Sequence, residues 1–597
     1  MAYLDFKSPL TPLFQSGELS LKEGVENPIF FDEKIMKNLT KKQSSWWKSG
    51  SPWIWLNGGA VAICILMVVG LIGLIAARGF GHFWPANIIQ TSITEIDGSQ
   101  QKIMGEIIRE EIIPAVIARD NGYTIPQDQV LVTRHLFKLG NRDVTGRDFV
   151  WYLQNGMSEW QYPKDAVVIE RREWGNFYGY PVAIQEEGKV VTELSTQNFW
   201  EEMQVRLDRA LKLHYQVEDI EKGRIGRINN AMEELRLERR RLELSGASAE
   251  ALAVEDVDIA ERRAALEAEY SVIKKQRDDL LHLATRDKLV ARTADGKEVV
   301  MSFDHLVQIT PSNQLNVFQK SAHYLKNFWA FITEEPREAN TEGGIFPAIF
   351  GTVTMVMVMS IIVTPFGVLA AIYLREYARQ GIILKIIRIS VYNLAGVPSI
   401  VYGVFGLGFF VYTLGGNLDH MFYAESLPSP TFGTPGLFWA SLTLALLTLP
   451  IVIVSTEEGL SRIPSTIRQG SLALGATKSE TLWKVVVPLA TPAMMTGLIL
   501  AIARAAGEVA PLMLVGVVKL APSLPINGTY PYVHLDQKIM HLGFHIYDVG
   551  FQSPNVEAAR PLVYATSLIL VLLIIALNIT AIRIRNNLRE KYRSASD

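Results

Sequence analysis

Two charged residues stand inside an apolar stretch of the chain. Arg504 and Glu508 lie four residues apart in "AIARAAGEVAPLM", so a helix there would carry both on one face. Each charge costs about 2.5–3.5 kcal/mol at the middle of a bilayer unless it is paired or faces water. The pattern fits an ion pair that fixes the helix in its bundle. It also fits a pathway in which Arg504 meets an anionic substrate and Glu508 orients or balances it, since a guanidinium fork suits phosphate oxygens.

Two further features accompany these charges. Gly497, Ala501 and Ala505 form a stripe of small residues that permits close packing against another helix. In an earlier apolar run, Pro398 and Ser399 could break a helix and expose backbone N–H groups, as in discontinuous transporter helices. A simple proline kink is the alternative.

The sequence shows no pattern typical of an enzyme or a metal site. It has no Gly-x4-Gly-Lys-Ser/Thr phosphate loop, which excludes the ATPase class, and no nucleophile elbow. His534, His541 and His545 lack the spacing of a closed metal site. The single Cys64 excludes a disulfide framework, and a net charge of -3 argues against nucleic acid as a partner. We therefore expect a chain that is not an enzyme by itself and binds neither a metal nor a cofactor.

Long apolar runs must position these residues. Of the 597 residues, 49% are hydrophobic, and a helix of about 20 apolar residues crosses a bilayer. Six runs qualify: Trp53–Ala77, Phe346–Tyr373, Ile389–Leu414, Leu437–Ser455, Pro492–Val518 and Leu562–Ile582. We predict a mainly α-helical, polytopic membrane protein with six transmembrane helices.

Lysine and arginine near the ends of the runs predict the orientation. They precede the first run and follow the second, fourth and sixth, whereas residues 415–436 contain none. The N-terminal segment 1–52 and the tail 586–597 are therefore predicted to be cytoplasmic. The long segment after the first run is predicted to face the other side.

That long segment, residues 85–340, is termed the insertion. Strand-like stretches occur at both of its ends, with hairpin turns predicted at Glu187-Gly188 and Asp295-Gly296. Between them, residues 204–286 are charged, with apolar residues at 3-4 spacing and a break at 245–250. We predict a β-rich domain from which an antiparallel coiled-coil hairpin projects, either as a docking arm for a partner or as a stabilising spacer.

Residues 457–490, termed the coupling segment, lie between the fourth and fifth runs. Gly475 can end one helix, Thr477 or Ser479 can cap a second, and Pro488 is predicted to end that one. An amphipathic connector on lipid headgroups is the alternative. Gly475, Val485, Val487 and Pro488 resemble the coupling loop Glu-Ala-Ala-x3-Gly-x9-Ile-x-Leu-Pro of ABC importer permeases. At its front, Gln469, Gly470 and Ser471 stand in place of Glu-Ala-Ala.

Three further motifs narrow the resemblance. "LAGVPSIVYGVFGLG", "GGIFPAIFGT" and "AIARAAGEVAPLM" are similar to the permeases of the ABC phosphate importer, and the second favours the PstA-type over the PstC-type subunit. The resemblance covers residues 343–590, which include a permease core at 343–585, and not the insertion.

The resemblance implies a complex in the bacterial inner membrane that imports inorganic phosphate. A PstC-type permease would complete the pore, a cytoplasmic ABC ATPase dimer would use ATP and dock on the coupling segment, and a periplasmic phosphate-binding protein would deliver substrate. It also supports a pathway role for Arg504 and Glu508. A permease for another anion or solute, and a membrane scaffold or sensor built around the hairpin, are the alternatives.

Overall fold

The computed structural model describes residues 50–95, 98–528, 530–553 and 556–593. The predicted N-terminal segment 1–52 and the predicted tail 586–597 therefore lie partly outside the described residues. The chain divides into two compact units, which meet between Leu71 and Ile72 inside the first long helix.

Six helices in the described residues are long and apolar enough to cross a membrane, the number that the sequence predicts. They are termed spans one to six and comprise Ser51–Gly81, Phe346–Tyr377, Ser399–Phe422, Leu437–Ser461, Lys478–Gly507 and Ala559–Glu590, the last within the helix Val556–Arg593. Shorter helices are Ala115–Asp120, Arg142–Thr145, Val317–Thr333, Ile382–Leu394, Ser465–Ala473, Leu512–Val515 and Leu542–Tyr547, and a π-helix, Asp548–Gln552, continues the last of these.

Two predicted spans have the wrong bounds. The run predicted at Ile389–Leu414 contains the end of the helix Ile382–Leu394 and the start of span three at Ser399. Pro398 separates them, because proline has no N–H and disfavours helical geometry in the preceding residue. Span five begins earlier than predicted and ends at Gly507, where Glu508 takes an extended conformation with ψ 130.

Close packing of small residues joins spans four and five. A Cβ built on Gly497 would lie 2.6 Å from the Cβ of Ser455, so the two backbones approach as closely as glycine permits. Ala501 and Ala505 of the same stripe are fully buried. The predicted stripe therefore lies in a helix contact, as expected for small residues in membrane bundles.

The insertion contains two main antiparallel sheets. The first has the order β1-β2-β3-β4, with β1 Ile89–Thr94, β2 Gln100–Pro114, β3 Leu131–Lys138 and β4 Phe149–Leu153. The second has the order β10-β5-β6-β8-β9, with β7 beside β6, and its strands are β5 Val167–Arg171, β6 Phe177–Glu186, β7 Lys189–Glu193, β8 Asp287–Arg292, β9 Glu298–Ser302 and β10 Leu306–Thr310. A two-stranded ribbon, Pro336–Arg337 with Glu342–Gly343, follows.

Both predicted hairpin turns of the insertion are confirmed. β6 and β7 pair antiparallel around Glu187 and Gly188, which have φ of 48° and 83°. β8 and β9 pair antiparallel around the turn at Gly296, whose φ is 93°. Glycine adopts these positive φ values without a Cβ clash, so the two dipeptides fix the register of the strands.

The helical hairpin comprises residues 199–285. Helix Phe199–Glu218, a π-helical stretch Asp219–Ile225 and helix Gly226–Leu244 run out in succession, and helix Ala249–Thr285 returns. Ile220, Ile228 and Ile273 are buried between its two arms. At its base, Phe199, Met203 and Leu207 pack on the second sheet, so the hairpin grows out of the sheet core.

The tip of the hairpin contacts a loop between two of the spans. The Nη2 atom of Arg241 lies 2.9 Å from Oε1 of Glu425, in the loop between spans three and four. Halfway along, Lys222 lies 2.6 Å from Oε2 of Glu335, just before span two. The hairpin therefore bridges from the start of span two to the loop that follows span three.

Candidate functional site

Arg504 and Glu508 meet at the end of span five. Arg504 lies in the last helical turn, and Glu508 caps the helix with extended backbone. The Nε atom of Arg504 lies 3.4 Å from Oε1 of Glu508, and the side chains are 34% and 21% exposed. The pair is thus half-buried and loosely bonded, so the guanidinium has a carboxylate to balance its charge and still keeps an exposed edge.

The start of span three lies beside this pair. Pro398 precedes the first helical residue, Ser399, so the chain is broken here rather than kinked. A Cβ on Gly403 would lie 2.7 Å from the Cα of Pro511, just beyond Glu508. Tyr402 belongs to the same apolar cluster as Ala505. The structure therefore brings together the two regions that the sequence predicts for the pathway.

The coupling segment contains two helices that meet at Gly475, as predicted. The first is Ser465–Ala473, and Gly475 follows with φ 88°. The Thr477 side chain accepts a hydrogen bond from the backbone N–H of Glu480, and the Glu480 side chain accepts one from the N–H of Thr477, which forms a capping box. The second helix begins at Lys478.

Pro488 does not end the second helix, which contradicts the prediction. The helix from Lys478 passes through a π-helical stretch, Leu482–Val486, and continues without a break to Gly507. A proline is tolerated there because π-helical adjustment of the preceding turn accommodates its missing N–H. The coupling segment and span five are therefore one helix.

The bend at Gly475 presents apolar side chains to its surroundings. Leu474 is 91% exposed and Trp483 is 54% exposed. Gln469 and Gly470 are exposed as well, whereas Ser471 bonds Thr481 with a distance of 2.9 Å between the hydroxyl oxygens. Val485, Val487 and Pro488 are partly buried. The segment therefore forms an exposed apolar knob whose two helices are tied by a hydroxyl pair.

Charged residues beneath the knob hold it to neighbouring spans. Arg468 Nη2 lies 2.7 Å from Oε1 of Glu376, at the end of span two. Lys478 Nζ donates to the backbone oxygen of Glu376 at 2.6 Å and lies 4.5 Å from the centre of the Tyr377 ring. In the sequence, Glu376 lies at the end of the second apolar run, where it can anchor that end or take a coupling role, and Arg468 belongs to the positive charge that predicts the orientation. Their pairing across 92 residues has no local signal, although charges flanking apolar runs at both places mark them as candidates.

The three histidines do not converge. His541 and His545 are buried, and burial lowers the pKa of each to about 4. His534 instead lies 3.0 Å from Oδ1 of Asn527. Within the described residues, no three His, Cys, Asp or Glu side chains are placed to hold a metal ion.

Comparisons with known proteins match the second half of the chain. Residues 363–594 match the family model "Binding-protein-dependent transport system inner membrane component". The chain is 32% identical over 254 residues to the phosphate transport system permease protein PstA of Yersinia pestis, which covers 42% of this chain and 76% of that protein.

A second phosphate permease and a solved transporter structure are also similar to this chain. The chain is 38% identical over 175 residues to the phosphate transport system permease protein PstA of Mycobacterium leprae, which covers 29% of this chain. The chain spans about half of that relative's length, 52%. The solved structure of the MetNI methionine ABC transporter is similar over 40% of this chain and 94% of its own, with 18% identity and a TM-score of 0.30.

Proposed function

Since the chain belongs to the PstA-type permeases among the binding-protein-dependent inner membrane transport components, we propose that it is the membrane-spanning subunit of an ATP-driven phosphate importer. The 32% identity to the Yersinia pestis phosphate permease over 76% of its length carries this proposal. The half-buried arginine at the end of span five is in keeping with an anionic substrate.

We place both termini in the cytoplasm and the insertion in the periplasm, in the bacterial inner membrane. The loop at 415–436 has no lysine or arginine, whereas Arg375 lies at the end of span two and Arg379, Lys385 and Arg388 lie between spans two and three. Excess positive charge marks cytoplasmic loops, which supports this orientation. The β-rich domain and the hairpin then lie outside, on the side from which substrate arrives.

The substrate pathway in this proposal runs past Arg504 and Glu508. Phosphate oxygens accept hydrogen bonds from the planar guanidinium, and Glu508 holds that group in place at 3.4 Å. Pro398 and Ser399 contribute the backbone of a broken span beside the pair. Glu508 also disfavours retention of an anion, because its charge repels phosphate, so the site binds substrate loosely enough to release it.

Energy enters through the coupling segment. Leu474 and Trp483 are suited to an apolar groove on a partner, and we propose that a cytoplasmic ABC ATPase dimer provides it. This chain binds no cofactor and performs no hydrolysis in the proposal, since the ATPase uses the ATP. A PstC-type permease completes the pore, and a periplasmic phosphate-binding protein delivers substrate.

Phosphate uptake in cells that lack their own permease tests the proposal. The cells express this chain with its neighbours, as wild type, Arg504→Ala or Gly475→Asp, and membrane levels of the chain and ATPase are measured in each. We expect both variants to lose uptake, and only Gly475→Asp to lose the ATPase from the membrane. Gly381→Asp is the matched control, because that glycine also faces open space, has no positive φ and lies outside the coupling segment.

Full uptake in both variants at normal membrane levels would contradict the pathway and the coupling roles together. Competition by other oxyanions distinguishes a phosphate permease from one for another anion. If sulfate inhibits uptake as well as unlabelled phosphate does, the proposed substrate is wrong even though the permease role stands.

A further inference from the structure

Arg468 bonds three partners at once, although it lies on the first helix of the coupling segment. Its Nη1 donates to the carbonyl oxygen of Ile463 at 2.6 Å, and its Nη2 donates to that of Leu460 at 2.8 Å. Leu460 lies in the last turn of span four, whose final carbonyls have no partner within the helix. Arg468 thus caps span four with a cation, the charge favoured at a helix C-terminus.

The third partner of Arg468 belongs to span two. The Glu376 carboxylate, 11% exposed, receives the Nη2 group of Arg468, itself 21% exposed, at 2.7 Å. Charge-assisted hydrogen bonds in such partly buried places are about twice as strong as neutral ones. Lys478, at the start of the second coupling helix, binds the backbone oxygen of the same Glu376.

An apolar cluster lies directly against these contacts. It combines Ile372 of span two, Leu460 and Ile463 at the end of span four, and Leu482 and Val486 of the second coupling helix, all buried. Packed cores of this density resist shear and transmit displacement. The charged contacts hold the coupling helices to spans two and four, and the cluster fills the space between them.

We propose that Arg468 and Glu376 form the joint that passes movement of the coupling segment to spans two and four. The inference rests on the proposed function. It adds two positioning residues, Arg468 and Glu376, that are not part of the surface on which the ATPase docks. Span five needs no such joint, because it is continuous with the second coupling helix. Span two is linked to the knob only through side chains, and span four leads into the first coupling helix through residues 462–464. Arg468 bonds to both of these spans.

Loss of the contact between Arg468 and Glu376 should have an effect that loss of a purely structural contact would not have. The ATPase still docks on Leu474 and Trp483 and still hydrolyses ATP, but spans two and four no longer follow its closure. ATP is then consumed without matching import. The number of ATP molecules hydrolysed per phosphate imported rises, whereas a merely misfolded chain would lose both activities together.

The test uses the full complex in lipid vesicles: this chain, its partner permease, the ATPase dimer and the binding protein. Phosphate uptake and ATP hydrolysis are measured for wild type, Glu376→Gln and Arg468→Gln, with the amount of bound ATPase checked. We expect the ratio of ATP hydrolysed to phosphate imported to rise about tenfold in both, the change that corresponds to one charge-assisted hydrogen bond. Arg462→Gln is the matched control, because it breaks an exposed pair with Glu458 in the same segment.

Unchanged ratios in both variants, with wild type importing phosphate, would overturn the joint and leave the proposed function intact. Absence of import by the wild-type complex would instead overturn the proposed function. Should either variant fail to assemble, Lys478→Gln decides, because it changes only the exposed contacts of this lysine to the backbone oxygen of Glu376 and to the Tyr377 ring. A smaller rise of the ratio in Lys478→Gln supports the joint, and a ratio equal to that of wild type contradicts it.

Discussion

Replacement of Arg241 by alanine should release the tip of the helical hairpin. In the wild type, Nη2 and Nε of this arginine lie 2.9 and 3.3 Å from one oxygen of Glu425. A backbone N–H donated to the carboxylate, with Arg241 beside it, holds the pKa of Glu425 below its usual range. The pair is therefore charged at neutral pH, and its contribution to stability is lost only as the pH falls through that lowered pKa.

The magnitude follows from the exposure of the two partners. Arg241 is 67% exposed and Glu425 is 11% exposed, so solvent screens one side of the pair. Exposed ion pairs contribute about 0.2–1 kcal/mol, and the mostly buried carboxylate places this one at about 0.5–1 kcal/mol. We therefore expect the open population of the tip to rise about two- to fivefold in Arg241→Ala.

Hydrogen–deuterium exchange of the amides in residues 241–252 measures this population. Arg240→Ala is the matched control, because Arg240 pairs with Glu243 of its own helix at 2.7 Å and makes no such bond to the loop. Exchange at the tip should accelerate in Arg241→Ala and in Glu425→Gln. The double variant should exchange no faster than the faster single variant, because both substitutions remove the same ion pair. Equal exchange in wild type and Arg241→Ala, or full additivity, would refute the reasoning.

Three further predictions concern the membrane core and its loops. Gly497→Val should destabilise the protein by about 1–3 kcal/mol through overpacking against span four, measured as a lower melting temperature than Gly507→Val, whose site is open. Gly475→Ala should cost about 1 kcal/mol in chemical denaturation because of its positive φ, whereas a similar loss in Gly470→Ala would contradict this. Burial keeps His541 and His545 neutral with a pKa of about 4, so the folded state should lose about 1.4 kcal/mol per histidine for each pH unit as the pH falls from about 6.5 to about 4. A melting temperature with the same pH dependence in a His541→Asn/His545→Gln variant would contradict that assignment.

Local chemistry accounts for the parts of the fold that the sequence predicts well. Gly188 and Gly296 have positive φ, which glycine adopts without a Cβ clash, so the dipeptides Glu187-Gly188 and Asp295-Gly296 indicate hairpin turns regardless of tertiary contacts. The capping box at Thr477 is equally local. The helix break at Gly475 was predictable for the same reason.

Prolines and span bounds were harder to predict. Pro398 directly precedes a helix, whereas Pro488 lies inside one, although both prolines follow apolar residues. The difference lies in the π-helical stretch before Pro488, whose Leu482 and Val486 are buried in one cluster with residues of spans two and four. Hydropathy likewise extends the fifth run past Glu508, because the residues after it remain apolar while the backbone leaves the helix.

Contacts between distant segments had no signal in one sequence. Arg241 and Glu425 are 184 residues apart, and each alone is typical of a solvated helix or loop. Arg468 and Glu376 are 92 residues apart. Pairing of such charges follows from the relative placement of spans and insertion, which periodicity does not encode.

The uninterrupted helix Lys478–Gly507 sets a condition on chain length as well as on residue type. Lys478 and Arg504 are separated by about 39 Å along its axis at 1.5 Å per residue. One residue added or removed between them would turn Arg504 by about 100° about that axis relative to the knob. The π-helical turn at Leu482–Val486 already holds one extra residue compared with an α-helical turn. The number of residues between the knob and Arg504 therefore fixes the direction in which Arg504 points about the helix axis. An insertion or deletion in this helix changes that direction even where every side chain is kept.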